Sequence, residues 1–285
     1  MNPPAYELFL SRGIDLGREP LEVRVCAQHN NGGLRGNIWW ESNVRHLFPV
    51  GEINGSHGVT RPGGSALNAG QVGSLRAAQY ISHRYAGRPP AVEEFLRAAR
   101  AQIEEKLGQA RTMAGGKKES AKRMAAALQE LRHRTSRAGG AVRERKTVDR
   151  EAAAAWNELR SLRRTLRISS PRHLPFAFRV LDLCLTHALY LEAVKEYLAQ
   201  GGRSRGSSLV LDPTGAGTAA ALGDEWRFSL SGPDDPLGRK ILEIGLDDGG
   251  AVRKRWIDTR PIPETDSWFE TVWADFREGR IFRGE

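Results

Sequence analysis

Residues 46–80 read HLFPVGEINGSHGVTRPGGSALNAGQVGSLRAAQY. The stretch changes rule twice along its length. The apolar run His46, Leu47, Phe48, Pro49 and Val50 predicts a short strand that ends at Gly51 and Glu52. Six glycines and a proline then fall between Gly51 and Gly70, too many for a regular element. From Ser65 the spacing turns helical. Ala66, Gly70, Gly73 and Ala77 recur at intervals of four, three and four, so one face of this helix carries almost no side chain. Such a face lets a helix backbone approach a strand or a ligand closely. Ser65 is placed to act as N-cap, with the first free N–H groups pointing into the loop. A helix start reached through glycines offers bare backbone donors and a partial positive charge, which suits an anion or an electron-rich ring edge.

The flanks predict two further regions. On the N-terminal side, residues 6–12 are helical in pattern, Gly13 makes a turn, and residues 21–25 alternate as a strand that delivers the chain to His29. Ile38, Trp39 and Trp40 form an aromatic clump beside a glycine-containing loop. On the C-terminal side, residues 86–90 break the pattern before four helices. The first carries an apolar stripe of Val92, Leu96, Ala99, Ile103, Leu107 and Ala110. The second spans about 120–137, the third ends near 167, and the fourth, 175–200, is the most apolar. The breaks between them contain Gly115-Gly116, Gly139-Gly140 and Ser169-Ser170-Pro171. Short breaks favour antiparallel neighbours, which predicts a helical bundle. Beyond Gly202, short alternating segments at 208–211, 226–230, 240–246 and 251–257 read as strands. Gly215-Ala216-Gly217-Thr218 reads as a plain loop. Residues 268–276 form an amphipathic helix expected to seal the tail against the body.

Composition restricts the function. A chain of 285 residues suggests about two domains at ~150 residues each. No stretch approaches the ~18–20 apolar residues of a membrane span. The opening MNPPAYELFLSRG lacks the basic-then-apolar order of a signal peptide. Cys26 and Cys184 lie far apart with no Cys/His cluster, so both read as small buried apolar residues, with no metal site. A reducing cytoplasm is the expected setting. The net charge of +9 is uneven. Residues 97–167 hold 19 Lys/Arg against 8 Asp/Glu and account for all of it. Acids interleaved along helices read as a solvated bundle face, and the tryptophans lack the aromatic–basic interleaving of a nucleic-acid reader.

Three motifs follow one another in the first third of the chain: Gln28-His29-Asn30-Asn31-Gly32-Gly33, Leu47-Phe48-Pro49-Val50-Gly51-Glu52, and residues 57–67, HGVTRPGGSAL. Their order and spacing resemble the C-terminal flavin-binding part of the succinate dehydrogenase/fumarate reductase flavoproteins. The resemblance implies an α+β architecture in three parts: residues 1–88, the C-terminal segment of a flavin-binding α/β domain (strand, glycine-rich loop, helix); residues 91–202, a basic helical bundle; and residues 203–285, a β-rich region closed by an amphipathic helix. It implies FAD as cofactor, held by Gly51, Glu52, Gly63, Gly64, Ser65, Ala66 and Leu67. Glu52 would accept hydrogen bonds from the ribityl polyol, and the amides at residues 65–67 would face the pyrimidine edge. The family often has Asn-Ser where this chain has Ser65-Ala66, so one side-chain contact of the family is not matched. His29, His57 and Arg61 would bind a carboxylate-bearing substrate, an Arg fork being matched to a carboxylate. The Ser204-Arg205-Gly206 turn loosely matches an S-R-G turn of the family.

Other parts of the family pattern have no counterpart. No G-x-G-x-x-G turn for the ADP end of FAD occurs, and no residue matches the proton-transferring arginine of the capping domain, so no catalytic residue is assigned. The expectation is a segment that needs an N-terminal FAD-binding half, the chain being either a split subunit completed by a second chain or a fragment of a longer reading frame, or else a decayed relative that keeps the fold without chemistry. The competing expectation is a non-enzymatic helical module whose basic segment binds nucleic acid or an acidic partner.

Overall fold

The computed structural model describes residues 2–21, 32–56, 65–85, 87–116, 120–206, 208–223, 225–261 and 264–282. The chain divides into two units, Met1–Asn31 and Gly32–Glu285. In the first, helix α1 (Pro3–Leu10) starts with proline in its first turn, where no N–H is needed. It ends at a turn through Gly13, and Tyr6 donates its hydroxyl to Asp15. The strand expected at 21–25 lies almost wholly outside the described residues, as does His29.

The second unit opens with irregular chain and helix α2 (Ser65–Arg84). The run at 46–50 is not a strand. It passes directly into a single 3-10 turn, Gly51–Ile53, and the bridge beside it is Leu34 to Asn54. A strand needs a ladder on at least one side, and no described segment lies along 46–50 to supply one. Ser65 is the first helical residue of α2, one position inside the expected cap.

Helices α3 (Val92–Met113), α4 (Ser120–Ala138), α5 (Arg145–Thr165) and α6 (Leu174–Ala199) match the periodicity of the sequence. The bundle, however, is made of three of them. α5 packs along α6 and both pack on α4. Their facing stripes form two adjoining cores, one around Met124, Leu159, Leu162, Leu166 and Val180, the other around Val148, Ala152, Ala188 and Leu191. Cys184 lies in the first, and burial pushes its thiol up to about 11, which suits an inert apolar filler. α3 joins this core only through Met113. Its last turn is pinned where Ile168 N–H donates to Met113 O and Gly116 N–H donates to Ile168 O. A Cβ at Gly108, near the C-terminal end of α3, would meet nothing within 4 Å. Gly108→Ala is therefore expected to stabilise that helix by about 1 kcal/mol, read as slower amide exchange along α3.

Among the described residues one helical segment, Pro171–Ala199, is long and apolar enough by length and composition alone to cross a membrane. Its buried face is the spine of the bundle core, and it also buries polar groups. Thr135 Oγ1 donates to Leu131 O, so it accepts from His187 Nδ1, 3.1 Å away. That puts the imidazole proton on Nδ1 and leaves Nε2 a buried acceptor with no partner among the described residues. Burial first, and the Arg134 charge second, push the His187 pKa from 6.5 to about 4. The folded value lies below the unfolded one, so the unfolded chain takes up the proton first as pH falls. Stability from this group is complete above pH 6.5 and is lost toward pH 4, by up to about 3 kcal/mol. Urea unfolding at several pH values, compared between the parent and His187→Gln, is expected to show this slope only in the parent.

Strands β1 (Val142–Arg143), β2 (Leu209–Leu211), β3 (Gly217–Thr218) and β4 (Arg227–Ser229) form a small sheet in the order β1-β2-β4-β3. The expected plain loop at 215–218 thus contributes a two-residue edge strand, with Gly217 opposite Phe228. The backbone at Gly215 runs so close to Phe228 that a Cβ would sit 2.1 Å from its carbonyl oxygen. The Ser204-Arg205-Gly206 turn locks this sheet to the bundle: Ser204 Oγ accepts from Val210 N–H at 2.7 Å, and Gly206 takes a φ of 59°. Strands β5 (Lys240–Leu246) and β6 (Val252–Asp258) form a hairpin in the register Lys240 to Asp258. Lys254 ties the hairpin to Glu192 and Glu196 of α6. Helix α7 (Trp268–Arg277) buries none of its residues, and Trp268, Phe269 and Trp273 are about half exposed or more. The seal expected of it is made instead by the turn after it, where Phe282 stacks on Trp39 and His83.

Candidate functional site

The 3-10 turn and α2 face each other across an open groove of about 640 Å3. Val50, Gly51 and Glu52 line one side, and Ala66, Leu67, Gly70, Gln71 and Ser74 the other. The side-chain-poor face of α2 makes this approach possible. Gly51 has a φ of 74°, a conformation that favours glycine, and a Cβ on Gly70 would stand 3.4 Å from its Cα. Ala66, Gly73 and Ala77 are buried along the same face. Gly73 seats the Trp40 indole: a Cβ there would fall 2.5 Å from the ring.

The opposite wall is fixed by a compact polar hub. Asn37 Oδ1 accepts from Trp39 N–H and Glu41 N–H. The buried Glu41 carboxylate accepts from His46 N–H at 3.0 Å and from the Tyr85 hydroxyl. Burial alone would raise the Glu41 pKa, but the Tyr85 and His46 hydrogen bonds outweigh it and hold the group below the usual carboxylate range. Trp40 and His46, which flank residues 41–45, both take left-handed φ values, 64° and 66°. Such residues persist where neighbouring contacts over-determine the chain, as they do here. Trp39 stacks on Tyr80 of α2, completing the link between hub and helix. The turn itself hangs on Leu34, whose N–H donates to Ile53 O at 2.7 Å and whose carbonyl accepts from Gly55 N–H at 2.9 Å.

The structure therefore brings Gly51, Glu52, Ala66 and Leu67 to one groove and puts Ser65 at the start of its helical wall. His57, Arg61, Gly63 and Gly64, together with His29, lie outside the described residues. Leu67 is 76% exposed, which leaves its backbone as the part of that residue suited to a ligand. Val50, Gly70, Gln71 and Ser74 were not among the expected site residues. Gly70 was legible as part of the bare face. Gln71 and Ser74 follow Leu67 at helical spacing, a signal too common to single out. Among the described residues no group of His, Cys, Asp or Glu is arranged to hold a metal ion. Glu52 is the one titratable side chain among the described residues lining the groove, so that lining can bind and orient but holds no acid–base pair.

This geometry suits the ring end of a flavin: a crevice whose glycine walls leave backbone accessible, a helix start beside it, and a carboxylate able to accept from a polyol. Similarity to known proteins points the same way. The chain is 37% identical over 99 residues to a CoM/CoB fumarate reductase polypeptide of Methanothermobacter marburgensis, a match covering 34% of this chain and 17% of that one. It is 46% identical over 65 residues to an uncharacterized FAD-dependent oxidoreductase of Methanocaldococcus jannaschii, covering 22% and 12%. In structure it superposes on the FrdA chain of E. coli quinol fumarate reductase with a TM-score of 0.69 at 22% identity, over 93% of this chain and 43% of that chain.

Over about its first third the chain is related in sequence to the flavoproteins of fumarate reductase.

No protein-family model matches it. The segment spans less than half of the FrdA chain it superposes on, and the likeness extends through the bundle and the β-rich region, well beyond the stretch that aligns by sequence. The mixed helix-and-sheet fold of the flavoprotein segment is thus shared with FrdA where identity is low.

Proposed function

We propose that this flavoprotein segment forms the ring end of an FAD site and positions a carboxylate-bearing substrate beside it. The observation that carries the reading is the shared groove of Gly51, Glu52, Ala66 and Leu67, on a segment related to FAD-dependent oxidoreductases. The flavin, when bound, supplies the hydride chemistry. Glu52 accepts from the ribityl hydroxyls. The glycine pair Gly63-Gly64 and the amides from Ser65 to Leu67 stabilise negative charge on the ring edge. Arg61, His57 and His29 grip the substrate carboxylate, with the arginine fork making the paired contacts. In this proposal residues 1–88 are the flavin-binding segment, 91–202 the bundle and 203–285 its β-rich partner, and the dinucleotide end of FAD is held by an N-terminal half that lies outside these residues. Within the basic segment, Arg134, Arg137 and Arg150 all converge on Glu151, so these three cations serve the bundle itself.

The test is a titration with FAD followed by flavin fluorescence. The chain alone is expected to quench little, because most contacts to the dinucleotide lie elsewhere. Adding the dinucleotide-binding half of a fumarate reductase flavoprotein is expected to produce saturable quenching, weakened about tenfold by Glu52→Ala, as for loss of a charge-assisted hydrogen bond. No quenching with both halves present would overturn the reading.

A further inference from the structure

Helix α3 is the least covered long element of the described chain. Val92, Leu96, Ile103 and Leu107 of its apolar stripe, and Phe95 beside it, are all exposed, and only Met113, in the last turn, is buried. An amphipathic helix of 22 residues gains its stability by covering such a stripe. The charges beside the stripe say what covers it. Glu93, Arg100, Glu104 and Arg111 are spaced by seven, four and seven residues. At 3.6 residues per turn they fall within about 20° of one line along the flank of the stripe. All four are exposed, and none makes an ion pair or side-chain hydrogen bond among the described residues. Lys106, Gln109 and Glu105, on the other flank, do hydrogen-bond to one another.

The row is self-complementary on reversal. Turning the helix end for end about Gln102 carries Glu93 onto Arg111 and Arg100 onto Glu104. In an antiparallel pair, residues of one flank face the same flank of the other helix, so each charge meets its opposite. A parallel in-register pair lacks this match, because the row then faces the opposite flank of the other helix. The same reversal carries Leu107 to the level of residue 97, one residue from Leu96 of the other helix, and Ile103 to that of residue 101, two residues from its own counterpart. We propose that α3 is a self-association helix, through which two copies of this chain pair antiparallel along the stripe of residues 92–110. The proposal uses no residue of the flavin groove, so either can fail without the other.

Sedimentation of the full chain over a micromolar concentration range tests it. The expected result is a monomer–dimer equilibrium. Ile103→Asp should raise the dissociation constant at least about 30-fold, as for a central contact. Arg100→Glu should weaken dimerisation about tenfold, and Arg100→Glu combined with Glu104→Arg should restore it to within about threefold of the parent. The restoring pair keeps the test valid should the aspartate variant misfold, and circular dichroism checks that helix content is unchanged. A chain monomeric throughout, a dimer indifferent to all three changes, or an α3 protected from amide exchange only when a dinucleotide-binding half is added would each overturn the proposal.

Discussion

Glu151→Ala is expected to lower the stability of the chain by about 3–5 kcal/mol, the cost of breaking a buried ion pair from one side. The carboxylate is 8% exposed, lies 3.4 Å from the Arg134 guanidinium, which is 7% exposed, and also receives Arg137 and Arg150. Burial raises the Glu151 pKa, and the hydrogen bonds from Arg137 and Arg150 more than reverse this, leaving it below the usual carboxylate range. Removing the carboxylate strands Arg134 inside the bundle with Glu130, itself half in water, as its remaining acid among the described residues. Arg137 and Arg150 turn to solvent at little cost. Replacing both buried partners, Arg134→Met with Glu151→Met, is expected to cost less than Glu151→Ala alone, because no unpaired charge is then left in a dry site. Chemical denaturation of the parent and the two variants measures this. A double variant worse than the single would mean that the pair itself stabilises the bundle.

Gly33→Ala is the second large effect expected, and it links the fold to the groove. A Cβ on Gly33 would lie 2.2 Å from Ile53 O and 2.9 Å from the Asn54 carbonyl carbon. Both neighbours are backbone, so no rotamer change relieves the contact. The strand-like bridge must part, which breaks Leu34 N–H to Ile53 O and Gly55 N–H to Leu34 O. Two hydrogen bonds and the displaced chain together cost about 2–3 kcal/mol. The turn that carries Glu52 moves with Ile53. The variant should therefore lose FAD quenching in the two-half assay while the bundle still unfolds at its parent denaturant concentration. Unfolding of the bundle at markedly lower denaturant would mean that the crossing supports the whole unit and not the groove.

These two residues show what sequence could and could not reveal. The pair Gly32-Gly33 stood out as a motif, and its physical reason emerges only in three dimensions: Gly32 takes a φ of 141° and Gly33 leaves room for Ile53. The bare face of α2 was readable outright, because Ala66, Gly70, Gly73 and Ala77 follow helical spacing and the helix forms as that spacing requires. The bundle helices were readable for the same reason. Periodicity marks an apolar stripe but not its partner, so the stripe of α3 and the face of α7 were assigned burial that the chain does not give them. The run at 46–50 failed differently. Apolar composition suggested a strand, but a strand exists only with a neighbour to bond. The Glu41 hub was invisible in sequence, since a lone glutamate after two tryptophans carries no pattern. Its role comes from Tyr85 reaching back across 44 residues.

If the amides that open α2 sit against a flavin, hydrogen–deuterium exchange will register it. The comparison is between the assembly of this chain and a dinucleotide-binding half with FAD, and the same assembly without it. Amides at residues 65–67 and at Gly51 and Glu52 should slow markedly on FAD binding, while those of the α5–α6 core do not change. Bound FAD with unchanged exchange at all of these groove positions would place the cofactor elsewhere and refute the groove as its site.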